Sequence, residues 1–289
     1  MKFKTLVIAS ATLFALSFTS CKKTSSTADD SSSTTAQATA DQSTSDNFAD
    51  DAHNAMTESV SSSDLGDAIR PGGINPQSPT SCASYTVSGT TYPKTITITF
   101  NNCTGHWGFF TRNGIITVVL SEPLMNAGAT ATMTFNNYTV TTMGGNSHQI
   151  EGTHIWTNNA QFIPGVTTSR SWTRQVINGK VTNLVTGRYW LHSGVRNVIQ
   201  DLVANSFTVL AGSNHQVTNA MGITHYDTVL TNLVRNYATC PWIHSGSIKF
   251  TGPRHTAVLD FGYNPTGATC DNDATYSIDG GTPIPFQLR

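Results

Sequence analysis

From about residue 82 onward, apolar and polar positions alternate in short runs separated by turn residues. Thr95 to Phe100 reads Thr-Ile-Thr-Ile-Thr-Phe, which places Ile96, Ile98 and Phe100 on one face of a strand. Ala129 to Phe135 alternates in the same way through Thr130, Thr132 and Thr134. Ser88-Gly89, Asn113-Gly114, Asn178-Gly179 and Asp279-Gly280 read as two-residue turns between such runs. Within 82–289 only Val195 to Leu202 has the texture of a helical turn. The pattern predicts one all-β domain over 82–289, an antiparallel β-meander of repeated hairpins shaped as a curved sheet, sandwich or partial barrel.

The N-terminal third has a different texture. Lys2 and Lys4 precede an apolar run from Leu6 to Phe18, too short to cross about 30 Å of hydrocarbon as a helix, so residues 1–20 read as a signal peptide. Residues 21–45 are Ser, Thr, Ala, Asp and Gln with almost no aliphatic side chain, the composition of a disordered tether. Phe48, Ala52, Ala55, Met56 and Val60 then recur at helical spacing, predicting a short amphipathic helix over 46–62. Pro71-Gly72-Gly73 and Pro76 mark a linker at 63–81.

Composition supports this division. Only 11% of the 289 residues are charged, whereas 45 are Thr and 22 are Asn. Thr is β-branched and suits the solvated face of a strand. The net charge of −1 argues against a nucleic-acid partner. Tyr138-Thr139-Val140 followed by Gly145 to Ile150 is echoed by Phe207-Thr208-Val209 followed by Gly212 to Val217, which suggests an internal duplication.

Phe18-Thr19-Ser20-Cys21 resembles a bacterial lipobox, with Phe18 where Leu is usual; the resemblance implies cleavage before Cys21 and lipidation of its thiol. Such an anchor makes the membrane the first partner. Four cysteines remain, Cys82, Cys103, Cys240 and Cys270, which allow three pairings. Cys82–Cys103 and Cys240–Cys270 are favoured because each pair flanks a predicted strand pair. No close cysteine pair suited to a metal is present, and no H-E-x-x-H motif accompanies the nine histidines, so no metal and no cofactor are expected. Asp271, Asp273 and Asp279 read as turn residues in preference to a calcium loop.

No catalytic residue is assigned. His192-Ser193 and His244-Ser245 place each Ser on the opposite strand face from its His, and no G-x-S-x-G elbow occurs. Trp107, Trp156, Trp190 and Trp242 are the candidates for stacking against a sugar ring.

Taken in order, Tyr92-Pro93-Lys94 through Phe100, Asn101-Asn102-Cys103, Arg112 to Ile116, Thr134 to Tyr138, Ile150 to Thr153, Asp260-Phe261-Gly262 and Cys270 to Thr275 resemble uncharacterised outer-membrane or surface lipoproteins of the Bacteroidota. The resemblance implies an exported, disulfide-bridged β-domain in the cell envelope, lipid-anchored in the outer membrane, on its periplasmic or its outer face. It brings no activity with it. The expectation is therefore a non-enzymatic binding or structural module, with a glycan or an envelope protein as partner. The alternative is a carbohydrate-binding module or a glycan-active hydrolase.

Overall fold

The computed structural model describes residues 32–62, 82–104, 110–163, 165–236, 239–240, 242–265, 267 and 270–287. The expected signal segment, Cys21, the head of the tether, the linker 63–81 and Trp107 lie outside the described residues. One helix, α1 (Ser32–Ser62), precedes β1 (Ala83–Ser88), β2 (Lys94–Thr104), β3 (Phe110–Leu120), β4 (Thr130–Thr142), β5 (Ser147–Asn158), β6 (Ser169–Asn183), β7 (Tyr189–Asp201), β8 (Ser206–Val209), β9 (Asn214–Asn219), β10 (Thr224–Asn236), β11 (Ser245–Thr251), β12 (Thr256–Asp260), β13 (Asp273–Ile278) and β14 (Ile284–Gln287).

The strands form a single sheet in which spatial order follows chain order, the meander that the alternating pattern predicts. Every ladder is antiparallel, as in β2 against β3 and β6 against β7. β8 and β9 share one rung. β8 pairs with the far half of β7, from Val198 to Asp201, and β9 with its near half, from Trp190 to Val195. One sheet face is wet and rich in Thr, while the other buries Ile96, Ile98 and Phe100 as expected, together with Ile116, Val118, Trp156, Trp172 and Phe250. Val195 to Asp201 belongs to β7, so the expected helical turn is absent there.

A crease runs across the sheet and bends it inward. In β2, β4 and β6 an asparagine enters the left-handed region, Asn102, Asn137 and Asn178, each with φ near +50°. At each of these bulges one residue is inserted and the buried phase flips, from Met133 to Tyr138 in β4 and from Val176 to Val181 in β6. On the intervening strands Gly114, Gly152 and Gly194 meet these bulges or the next strand's backbone, so close that side chains are excluded. A Cβ on Gly114 would lie 2.2 Å from the Asn137 carbonyl oxygen, and one on Gly152 2.6 Å from that of Asn178.

Asn113-Gly114 and Asn178-Gly179 are therefore not turns. They demand the same backbone freedom as a hairpin turn but spend it on a bulge in mid-strand. Ser88-Gly89 and Asp279-Gly280 do begin chain reversals. Gly152→Ala is expected to destabilise the domain by about 2–3 kcal/mol. Gly145→Ala, in an open turn with nothing within 4 Å, should cost about 1 kcal/mol. Urea midpoints of the two variants check the difference.

The disulfides are Cys82–Cys103 and Cys240–Cys270, the favoured pairing, closing sequence separations of 21 and 30 residues. Loop closure on that scale contributes about 3 kcal/mol each. The segments read as a duplication occupy different places. Tyr138 and His148 lie on two strands joined by a turn, whereas Phe207 and His215 follow one another along one rung.

The largest departure from expectation is α1. It begins at Ser32, so residues 32–45 are helical where the composition reads as tether. Nor is it amphipathic in effect. Phe48, Met56 and Val60 are buried, but every position from Ala38 to His53 is buried as well, on all sides of the helix. The sheet wraps around it. Poor helix formers supply much of α1, and several of its hydroxyls bond back to the preceding turn, as Thr44 does to the Ala40 carbonyl at 2.9 Å and Ser45 to that of Asp41. A segment of this composition is not a stable helix alone, so tertiary docking holds it.

Candidate functional site

Among the described residues, charged and titratable groups converge in the interior around α1. Strand periodicity puts Arg112, Arg174, Arg196 and Arg235 on the buried face of β3, β6, β7 and β10, in phase with apolar neighbours such as Trp172 and Val198. Arg188, beside the start of β7, reaches in from the rim. Facing them, α1 carries Asp41, Asp46, Asp50, Asp51 and Glu58 and no Lys or Arg.

The pairing is specific. Arg112 grips Asp51 with two bonds, Nε to Oδ2 at 2.9 Å and Nη2 to Oδ1 at 2.6 Å. Arg188 grips Asp41 at 2.7 and 2.6 Å. Arg174 donates to Asp50 at 2.7 Å and also to Asp46. Arg196 reaches Asp46 at 3.3 Å and pairs with Asp227 of β10 at 2.6 Å. Arg235 donates to Asp50 at 2.9 Å and to Asn47. Trp190 Nε1 donates to Ser45 Oγ at 2.9 Å, and Thr35 Oγ1 meets His225 Nε2 at 3.2 Å.

Burial pushes the Asp46 carboxyl up, but Arg196 and Arg174 outweigh it and hold the group well below the ordinary carboxylate range. Asp227 goes the other way: burial dominates and raises it to about 6 despite Arg196. Of the carboxylates in these ion pairs, only Asp227 comes from the sheet. Without α1, five arginines would therefore face one strand carboxylate.

Histidines make a second cluster. His154 on β5, His192 on β7 and His215 on β9 form a row, His154 edge-on to His192 with ring centroids 6.1 Å apart and His192 tilted against His215 at 5.4 Å. Gly179 on the intervening β6 makes the room, since a Cβ there would lie 2.5 Å from His192 Nε2. Burial lowers His192 to about 4 and His154 and His215 well below their ordinary value, and the nearby guanidiniums add to the effect. The rings are therefore neutral. Among the described residues no group of three His, Cys, Asp or Glu is arranged to hold a metal ion.

At the rim where α1 enters is a groove of about 410 Å³. Ser33, Thr34 and Ala38 of the helix form one wall, and Tyr189 and Val217 of the sheet with Met221 of the β9–β10 turn form the other.

Among the described residues, the candidate stacking tryptophans do not form an exposed platform. Trp156 and Trp190 are buried, as is Trp172, because they point into the interior against α1; His53 lies 3.9 Å from the Trp156 ring. Trp242 is half-buried against the core. Ser193 faces away from His192, and its hydroxyl accepts a bond from the Asn178 backbone N–H. Asp271 accepts the Asp273 N–H and Asp279 that of Thr256, which is turn duty as expected.

The arginine–aspartate interior was missed from the sequence. Two signals were available: cations in phase with the apolar face of a strand, as in Arg170-Ser171-Trp172-Thr173-Arg174, and a long segment rich in acids without one Lys or Arg. No protein-family model, curated protein or solved structure matches the chain.

Proposed function

We propose that this chain is a lipoprotein of the Bacteroidota type, anchored to the cell envelope through Cys21, whose β-module works by binding and not by catalysis. The observation that carries the reading is the docking of α1. A helix bearing the acids that match an arginine-lined interior turns the sheet into a receptacle for an acidic segment, and here the chain's own segment fills it. Binding through paired, buried charges favours one register over others, the best-attested use of such pairs.

The anchor itself rests on the lipobox resemblance at Cys21; the docked helix bears only on how far it can reach. Cys21 stands eleven residues before Ser32, and that stretch reaches no more than about 40 Å. A lipid on Cys21 would thus hold the rim bearing Ser33 and Arg188 near the bilayer. It would pull on a helix fixed by ion pairs throughout the interior. The short reach replaces the long leash that the composition of residues 21–45 suggests.

Cys21→Ala is expected to move the protein from the membrane fraction to the soluble fraction, with its β-module still folded by circular dichroism. Retention in the membrane fraction would overturn the anchor. Protease shaving of intact cells then assigns the face of the membrane.

A further inference from the structure

We propose that the groove beside the first turn of α1 seats an acyl chain carried by this chain's own Cys21. The inference rests on the lipid anchor proposed above and adds where one of that lipid's acyl chains goes. At about 410 Å³ the groove is within the size range of small-molecule sites. Ala38, Tyr189, Val217, Ala220 and Met221 give it an apolar body. Its charged groups are the Asp41–Arg188 pair, which already satisfy one another. Such a lining fits a hydrocarbon better than a sugar or a phosphate. Apolar side chains also crowd its margin, where Met221 is 63% exposed and Val185, in the neighbouring turn, 69%.

The occupant follows from where the described chain starts. Ser33 and Thr34 are part of the groove wall, so the segment leading back to Cys21 departs from its edge. With a reach of about 40 Å it can fold back. A covalently tethered ligand acts at millimolar effective concentration, so a shallow groove suffices.

Two measurements test this. In the first, the full mature chain with Cys21→Ser is titrated with an environment-sensitive fluorescent palmitate analogue. Saturable one-to-one binding is expected, weakened about tenfold by Met221→Glu, the equivalent of about 1.4 kcal/mol. Val203→Glu, also on an exposed turn but at the other end of the sheet, should leave binding unchanged. No saturable binding, or equal loss in both variants, overturns the groove. In the second, a benzophenone side chain replaces Met221 in the lipidated chain, which is irradiated in cells. Digestion should yield the fragment containing position 221 joined to the acylated Cys21 peptide. A fragment joined to a membrane phospholipid instead overturns the proposed occupant. The mass of the N-terminal peptide in the same spectra separates the two readings: without acyl mass the anchor fails, whatever the palmitate titration gives.

Discussion

Asp46→Ala is expected to lower the stability of the fold by about 3–5 kcal/mol, the cost of breaking a buried ion pair from one side. Asp46 lies between Arg174 and Arg196, whose side chains are 1% and 0% exposed. With the carboxylate gone, each guanidinium keeps only one carboxylate, Asp50 for Arg174 and Asp227 for Arg196, and water cannot reach in to compensate. Asp46→Asn keeps the volume and removes the charge, so it should cost about as much; a much smaller loss would mean that shape and not charge holds α1. Lys180→Ala is the control. Its pair with Glu151 is about 40% exposed on both sides and should be worth less than about 1 kcal/mol. Urea unfolding followed by tryptophan fluorescence reads all three variants, because Trp156, Trp172 and Trp190 are buried against the helix. An Asp46→Ala loss below 1 kcal/mol would show that the interior is not held by these pairs in solution.

Acid should unfold the protein well before its carboxylates titrate as a class. His192 is lowered to about 4 and His53 to about 3, both chiefly by burial, and His154 and His215 also lie well below 6.5. A histidine depressed in the folded state leaves the unfolded chain to take up the proton first. Its contribution is therefore fully present above about pH 6.5 and is lost as pH falls toward the folded value. For His192 that contribution is on the order of 3 kcal/mol. Asp227, raised to about 6, and Asp50, also raised by burial, have the opposite sign and gain stability as pH falls toward the ordinary carboxylate range, but they are two groups against these four histidines and His148, which burial lowers to about 4. Urea midpoints should fall steeply between pH 6.5 and 4.5. His192→Asn should reduce the slope by about 1.4 kcal/mol per pH unit over that interval. A flat profile would mean that the rings are not buried and neutral.

Both expectations concern groups whose residue types are plain in the sequence but whose partners are not. Arg174 and Asp46 are separated by 128 positions, and no local pattern connects them. The Ser/Thr-rich stretch 32–45 reads as a tether because intrinsic propensity is all that composition reports, and propensity yields to tertiary contact. From the sequence Trp156 and Trp190 read as core or cross-strand aromatics in preference to a surface platform, but no local pattern excludes the platform. Only the presence of a helix under that face of the sheet decides between them.

What the sequence determined by itself is the strand set and its chemistry. Period-two alternation chose which side chains of β2 and β4 face inward, Cys82, Cys103, Cys240 and Cys270 lay close enough to their strand pairs to favour the observed pairing, and Thr supplied the wet face. Those are short-range choices, made within a strand or between neighbours. The tertiary structure decided the rest. Asn178-Gly179 became a bulge, and Asn113-Gly114 the stretch of strand that faces two bulges, because Gly152 and Asn137 on the adjacent strands meet them backbone to backbone. The bends they introduce help to curl the meander. The curled sheet then had an interior to fill, and the acidic segment at 32–62 became a helix there because its carboxylates found guanidiniums from four distant strands and from the rim, a condition that exists only once the chain has folded.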